Sequence, residues 1–179
     1  MVEPWYTAVE SFDPSWGHTW TNYFETAGLP QLKEVISLDS SLCPSVIDPL
    51  KREDWKHNVH EDGLIDFFYD LDYLLKRVAG MGQFNVLAAV LNPSGQCATA
   101  FDDARFAFKG YDLIGLGESA LTNCGGYPLA FENGELSSSG LILDFQRASQ
   151  VASALHQHYP DDDHADWDIW ALWKMKTEN

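Results

Sequence analysis

Four segments between Lys109 and Lys174 decide the fold that the sequence predicts. They are Lys109–Ile114 (KGYDLI), Leu121–Pro128 (LTNCGGYP), Asp144–Tyr159 (DFQRASQVASALHQHY) and Asp166–Lys174 (DWDIWALWK). In that order, their patterns indicate a strand, a glycine-rich loop, an amphipathic helix and an aromatic closing strand. The apolar side chains of the closing strand fill one face and part of the other, so we expect one face to be fully covered and the other half covered.

Two segments before Lys109 also have clear patterns. From Asp62 to Ala79, apolar side chains recur at steps of three and four residues, and Lys76 and Arg77 suit the negative end of a helix dipole. The run Phe84–Leu91 (FNVLAAVL) is apolar almost throughout, which is typical of a strand covered on both faces. These patterns predict a helix over 62–79 and a strand over 84–91.

The other segments are less regular. Residues 1–32 are rich in aromatic residues, and proline and glycine interrupt them, so we expect an irregular segment packed over the sheet, with a short helix at about 15–26. Lys33–Leu38 (KEVISL) indicates a short strand, Arg105–Ile114 indicates another, and a weaker strand is expected near Gln96. Residues 115–140 are predicted to form a long structured loop.

Together these elements predict one α+β domain over residues 1–179. Its two principal amphipathic helices, at about 62–79 and 144–159, are expected to pack on a mostly antiparallel sheet. A chain of 179 residues is long enough for one domain with a sizeable core. Its seven Trp, seven Tyr and ten Phe side chains need either burial or a partner surface.

The charge of the chain restricts its partners. Lysine and arginine total 11 against 27 aspartates and glutamates, so the formal net charge is −16. Such a field repels phosphates, and we therefore expect neither nucleic-acid nor membrane binding. It is compatible with a basic protein partner, with a divalent cation or with a purely solubilising role.

The cysteines and the apolar runs indicate a cytoplasmic protein. Cys43, Cys97 and Cys124 form no C-x-x-C pair, so we expect free thiols and neither a zinc ribbon nor a thioredoxin-like motif. The N-terminal residues lack the pattern of a secretory signal, and no apolar run approaches the length of a membrane span.

Two loops are the candidate binding sites. In the first, Asn123, Cys124, Gly125 and Gly126 form a turn whose glycines would let the backbone approach a ligand. The second is the acidic turn of Asp161, Asp162 and Asp163 that follows the helix over 144–159. No catalytic residue is assigned.

Familiar nucleophile motifs are incomplete in this chain. Cys124 lacks the helix start that would lower the pKa of its thiol, so a catalytic cysteine is not expected there. The sequence around Ser119 lacks the second glycine of a nucleophile elbow, because Leu121 occupies that position.

The alternative to a binding protein is a metal-assisted hydrolase. Its ligands would come from two clusters, His57, His60 and Glu61 in the first, and His156 and His164 in the second. On a helical turn, His57 and Glu61 would lie on the same face, four residues apart. This alternative requires that the two clusters converge in one pocket. No other cofactor is expected.

The C-terminal half of the chain resembles a group of bacterial proteins. The segments GYDL (110–113), LTNCGG (121–126) and the closing run His164–Trp173 are similar to small uncharacterised bacterial proteins that look like immunity proteins of polymorphic or contact-dependent toxin systems. The resemblance implies a non-catalytic protein that occludes a basic partner, such as a toxin effector. Such a protein is expected to be a monomer or a homodimer.

Overall fold

The computed structural model describes residues 3–11, 34–39, 58–62, 65–80, 84–122, 127, 129–132, 134–160 and 166–177. These residues form two helices and seven strands. The helices are α1 (Leu71–Val78) and α2 (Phe145–His158). The strands are β1 (Trp5–Glu10), β2 (Asn58–Asp62), β3 (Ile65–Phe68), β4 (Phe84–Leu91), β5 (Phe106–Gly115), β6 (Glu118–Ser119) and β7 (Asp168–Met175).

All seven strands belong to one antiparallel sheet, in the order β2-β3-β1-β4-β7-β5-β6. The last strand of the chain, β7, therefore lies between β4 and β5. This confirms the predicted α+β fold with a mostly antiparallel sheet. The strands predicted at 84–91 and 105–114 are confirmed as β4 and β5, and the closing strand is confirmed as β7.

Both faces of β7 are buried in its central part. Ala171 and Trp173 point to one face, where Phe108 and Tyr111 of β5 also lie. Trp170 and Leu172 point to the other face, and each of these four β7 side chains is at most 2% exposed. The expectation of a half-covered second face is confirmed: Trp170, which stacks on Phe67 at 4.8 Å, and Leu172 are buried on that face, while Asp168 and Lys174 at its two ends are only partly buried.

The helix predicted over 62–79 is much shorter than expected. Residues 58–62 and 65–68 form the hairpin strands β2 and β3, and the helix begins only after Asp70, whose side chain accepts a hydrogen bond from the Tyr73 backbone N–H. Phe67 and Phe68 are both fully buried, since consecutive side chains of a strand point to opposite faces and both faces are covered here. The helical spacing of the apolar residues up to Phe68 therefore does not correspond to a helix.

The helix predicted over 144–159 is confirmed as α2. Asp144 is its N-cap and accepts a hydrogen bond of 2.8 Å from the Arg147 backbone N–H. Ala148, Val151 and Leu155 form its buried stripe. Phe145 places the first turn against Tyr111 of β5, with ring centroids 5.6 Å apart.

The N-terminal segment is not irregular throughout. Residues 5–10 form β1, an inner strand whose partners are β3 and β4. Its Thr7, Ala8 and Val9 are buried, and aromatic contacts join Trp5 to Phe67 and Trp170. The short helix predicted at about 15–26 lies outside the described residues.

Two other local predictions were wrong. Residues 34–38 of the predicted strand Lys33–Leu38 are not part of the sheet, although Ile36 donates its N–H to Ser139 O at 3.1 Å and its side chain is fully buried. The segment after Gln96 forms turns instead of a strand. In the described parts of 115–140, the chain includes the short strand β6 and a bridge from Leu136 to Ile142.

A bulge in β5 gives Tyr111 its position. The register with β7 shifts by one residue between Phe108 and Gly110, so Phe108 and Tyr111 lie on the same face although they are three residues apart. Tyr111 exchanges backbone hydrogen bonds with Ile142, at 2.7 and 3.1 Å. Gly110 has a φ of +138°, and a Cβ on it would lie 2.7 Å from Ile142 O.

We expect Gly110→Ala to destabilise the fold by about 2–4 kcal/mol, because the added methyl group meets the backbone and the φ angle disfavours an L-residue. Urea unfolding followed by tryptophan fluorescence would measure this loss. Gly95→Ala is the matched control, since a Cβ there meets no atom within 4 Å, and its expected effect is within about 0.5 kcal/mol of zero. Equal stabilities of the two variants would contradict this account of the bulge.

Candidate functional site

Most of the site residues that the sequence suggests lie outside the described part of the chain. These are Asn123, Cys124, Gly125 and Gly126 of the first loop, Asp161, Asp162 and Asp163 of the second, and His57 and His164. His60 and Glu61 lie in β2. His156 is exposed in the last turn of α2.

One premise of the metal hypothesis does not hold, whereas the convergence of the two clusters involves His57 and His164, which lie outside the described residues. The spacing of His57 and Glu61 suits a shared metal only on a helical turn, but residues 58–62 form a strand. The described residues contain no group of three or more His, Cys, Asp or Glu side chains that could hold a metal ion. The described parts of these clusters therefore provide no metal centre.

A buried carboxylate lies in β5, before the turn that leads to the glycine-rich loop. Asp112 of β5 is fully buried, and its Oδ2 accepts hydrogen bonds from Ser37 Oγ at 2.7 Å and from Leu38 N at 2.9 Å. Its Oδ1 accepts from Leu113 N at 2.9 Å and from Ser119 Oγ at 2.5 Å. One side chain thus fastens the segment 34–39 and the turn at β6 to the sheet.

A second carboxylate extends this network to the loop itself. Asp39 Oδ2 accepts hydrogen bonds from Ser119 N at 3.1 Å and from Thr122 Oγ1 at 2.7 Å. Thr122 is the residue immediately before Asn123, so the two aspartates determine where the loop leaves the core. Asp39 and Thr122 are 7% exposed, and Ser119 is fully buried.

The chemistry of this network indicates a structural role. Burial raises the pKa of the Asp112 carboxyl, and the hydrogen bonds from Ser119, Ser37 and Leu38 act in the opposite direction. Both oxygens of Asp112 already accept two hydrogen bonds from the chain. A carboxylate that is satisfied in this way positions its neighbours, and a general acid or base would need an oxygen directed at a substrate.

No role was assigned to Asp112 or Asp39 from the sequence, and Ser119 was considered only as part of an incomplete nucleophile elbow. The available signal was the acidic residue between Tyr111 and Leu113, in a strand that is otherwise largely apolar. A charged residue at such a position needs a partner if the strand is buried. The partners of Asp112 in segment 34–39 are 74 and 75 residues away along the chain, its partner Ser119 belongs to a short turn, and the sequence pattern does not identify them.

We expect Asp112→Asn to cost about 3 kcal/mol of unfolding free energy. Each carboxylate oxygen accepts a hydrogen bond from a backbone N–H, and a backbone N–H cannot act as an acceptor. In asparagine, the amide NH2 group would therefore face one of these N–H donors in either orientation of the side chain. Chemical denaturation at neutral pH would measure the loss. Ser37→Ala removes one donor to Asp112 and the acceptor of the Asp39 N–H, and should cost about 1–2 kcal/mol, whereas the exposed Asp102→Asn should change stability by less than about 0.5 kcal/mol. A loss for Asp112→Asn no larger than that for Ser37→Ala would contradict the geometry.

Acidic side chains gather at one end of the sheet. We call this the acidic end: it is where β1 and β7 begin and where β4 and β5 finish. Glu3 precedes β1, Asp166 and Asp168 stand at the start of β7, and Glu118 follows the turn after β5. Glu3, Asp166 and Glu118 are exposed.

Two grooves open at the acidic end. One, of about 390 Å³, is lined by Trp5, the last residues of β4 and Glu3. The other, of about 560 Å³, lies between α2 and the start of β7, where His156, Asp166 and Asp168 line it. A hydrogen bond of 2.6 Å from Asn92 Nδ2 to Asp168 Oδ1 joins the walls of the two grooves.

No protein-family model matches the chain, and no curated protein or solved structure matches it significantly. The described residues contain no helix that is both long and apolar enough to cross a bilayer. The functional argument therefore depends on the side chains of this chain.

Proposed function

We propose that the chain is a non-catalytic, acidic protein-binding protein that occludes a basic partner, in the manner of an immunity protein bound to a toxin effector. The observation that carries the proposal is the net charge of −16 together with the collection of carboxylates at the acidic end. A field of one sign accelerates the encounter with a partner of the opposite sign.

The described cations do little to offset this field, because most of them are engaged within the fold. Arg105 pairs with Asp103 at 2.7 Å, and Arg147 pairs with Glu135 at 3.0 Å. Lys174 and Lys109 both approach Glu34, with Lys174 Nζ at 2.5 Å and Lys109 Nζ at 3.7 Å. The two arginine pairs are locally neutral and the cluster at Glu34 has one net positive charge, so the carboxylates elsewhere determine the sign of the surface potential.

The proposal places the protein in the cytoplasm, where an effector could be neutralised after entry or before export. The thiol of Cys97 supports a reducing compartment, since it is free and buried. Burial raises the pKa of this thiol, which keeps it protonated and unreactive.

We expect the chain to bind a basic protein encoded by a neighbouring gene. The association rate constant should fall at least tenfold when the salt concentration rises from about 50 to about 500 mM, because salt screens charges that are more than a few ångströms apart. Stopped-flow or surface-based kinetics would measure it, with an acidic protein of similar size as the control. The proposal fails if none of the basic neighbouring gene products binds at low salt, or if the rate does not depend on salt.

A further inference from the structure

We infer that the acidic end is the docking surface, and that it takes an extended partner segment in which arginine or lysine alternates with apolar residues. This inference rests on the proposed function and specifies where the basic partner is held. It depends on three independent properties of the acidic end: its exposed apolar side chains, its charge and its rigidity.

Large apolar side chains are exposed at the acidic end. Tyr69 follows β3, whose last residue pairs with Tyr6 near the start of β1, and it is 66% exposed. Leu116 occupies the turn after β5 and is 57% exposed. Among the described residues, Leu143 is the other large hydrophobic residue with high exposure, and it lies elsewhere, just before α2. Exposed apolar groups beside polar ones are typical of protein interfaces.

These side chains form a row with the carboxylates. In the order of the strands, Tyr69 leaves β3, Trp5 starts β1, Asn92 follows β4, Asp168 starts β7 and Leu116 follows β5. Neighbouring strands lie about 4.8 Å apart, so the row spans roughly 19 Å, which is the length of about six extended residues. An extended segment of a partner therefore fits across it.

The charge selects a cationic segment. Glu3, Asp166, Asp168 and Glu118 lie along the row, and the C-terminal half of α2, which borders the second groove, brings the negative end of a helix dipole close to it. Arg105 and Lys176 lie at the opposite end of the sheet, but Glu10 ends β1 there, and Asp102 and Asp103 precede β5. A cationic segment is therefore selected by the local carboxylates of the acidic end.

The groove beside Trp5 suits the long side chains of arginine and lysine. Trp5 is partly exposed, and Ala89, Val90 and Leu91 line the same groove. An arginine or lysine stem can pack on these apolar groups while its charged end reaches Glu3 or Asp168. A purely aliphatic segment would leave the carboxylates without a counter-charge, and an acidic segment would be repelled.

The backbone at the acidic end is held in place before any partner binds. Asn92 has a φ of 43°, and its backbone N–H and side chain make hydrogen bonds to Ile169 and Asp168. Leu116 has a φ of 48°, a conformation that a bulky residue rarely adopts. Among the described residues, these two are the non-glycine residues with positive φ, and both lie in the row. A rigid surface loses little entropy when a partner binds.

The strain at Leu116 allows a test that separates binding from stability. Leu116→Asn removes the exposed apolar side chain and places a residue that tolerates positive φ, so the folded state should be as stable as the wild type or more stable. Leu143→Asn is the matched control. The probe is a nine-residue synthetic peptide of alternating arginine and leucine, and its binding is measured by fluorescence anisotropy at low salt. We expect Leu116→Asn to weaken binding at least fivefold and Leu143→Asn to change it less than twofold.

A second pair of variants tests the position of the charge, because both double variants remove two negative charges. Glu3→Gln combined with Asp166→Asn should weaken peptide binding at least tenfold, whereas Asp72→Asn combined with Asp102→Asn should weaken it less than threefold. All four residues are exposed. The same peptide with glutamate in place of arginine should not bind.

Nuclear magnetic resonance of the wild-type protein provides a readout that needs no variant. Adding the peptide should shift the Trp5 indole and the backbone amides of Asn92 and Leu116 before those near Asp102. The inference is overturned if the peptide does not bind, if the shifts cluster elsewhere, or if both charge pairs weaken binding equally. In those cases the proposed function still stands if a basic neighbouring gene product binds in a salt-dependent way, so the two failures are distinguishable.

Discussion

The fold depends on the pairing of β7 with β4 on one side and β5 on the other. Both strands that pair with β7 precede it by more than 50 residues, so the centre of the sheet forms only when these distant segments meet. Its backbone pairs with Leu87–Leu91 and with Phe106–Ile114, and its Trp170 and Trp173 fill the two faces of the sheet. Such distant pairings have a high loop-closure cost, and we therefore expect the sheet to form late in folding.

The buried aspartate in β5 joins the parts of the molecule that the sheet does not hold. Segment 34–39 does not pair as a strand, and the hydrogen bonds from Ser37 and Leu38 to Asp112 attach it to β5. The same carboxylate holds Ser119, and Asp39 holds Thr122. A buried carboxylate is destabilising unless its oxygens accept hydrogen bonds from all of their partners. These hydrogen bonds form together in only one arrangement of the segment, the turn and the strand.

The order of the strands determines which residues form the acidic end. In an antiparallel sheet, the starts of some strands and the ends of their neighbours lie at the same end of the sheet, so residues from four separate parts of the sequence meet at the acidic end. Glu3, Asn92, Asp168 and Leu116 come together only because β1, β4, β7 and β5 are adjacent in this order.

The sequence by itself determined the α+β class, α2 with its Asp144 cap, the buried strand β4, the closing strand β7 and the acidic net charge. These features are local patterns or sums over the chain, and they do not depend on which residues are neighbours in space.

Tertiary structure decided the rest. Residues 62–68 follow a helical period, but both Phe67 and Phe68 gain burial in a strand between β1 and β2. The strand β1 was hidden among aromatic residues, because its inner position depends on partners more than 50 residues away. The Asp112 network and the acidic end likewise arise from contacts between distant residues, which no local pattern encodes.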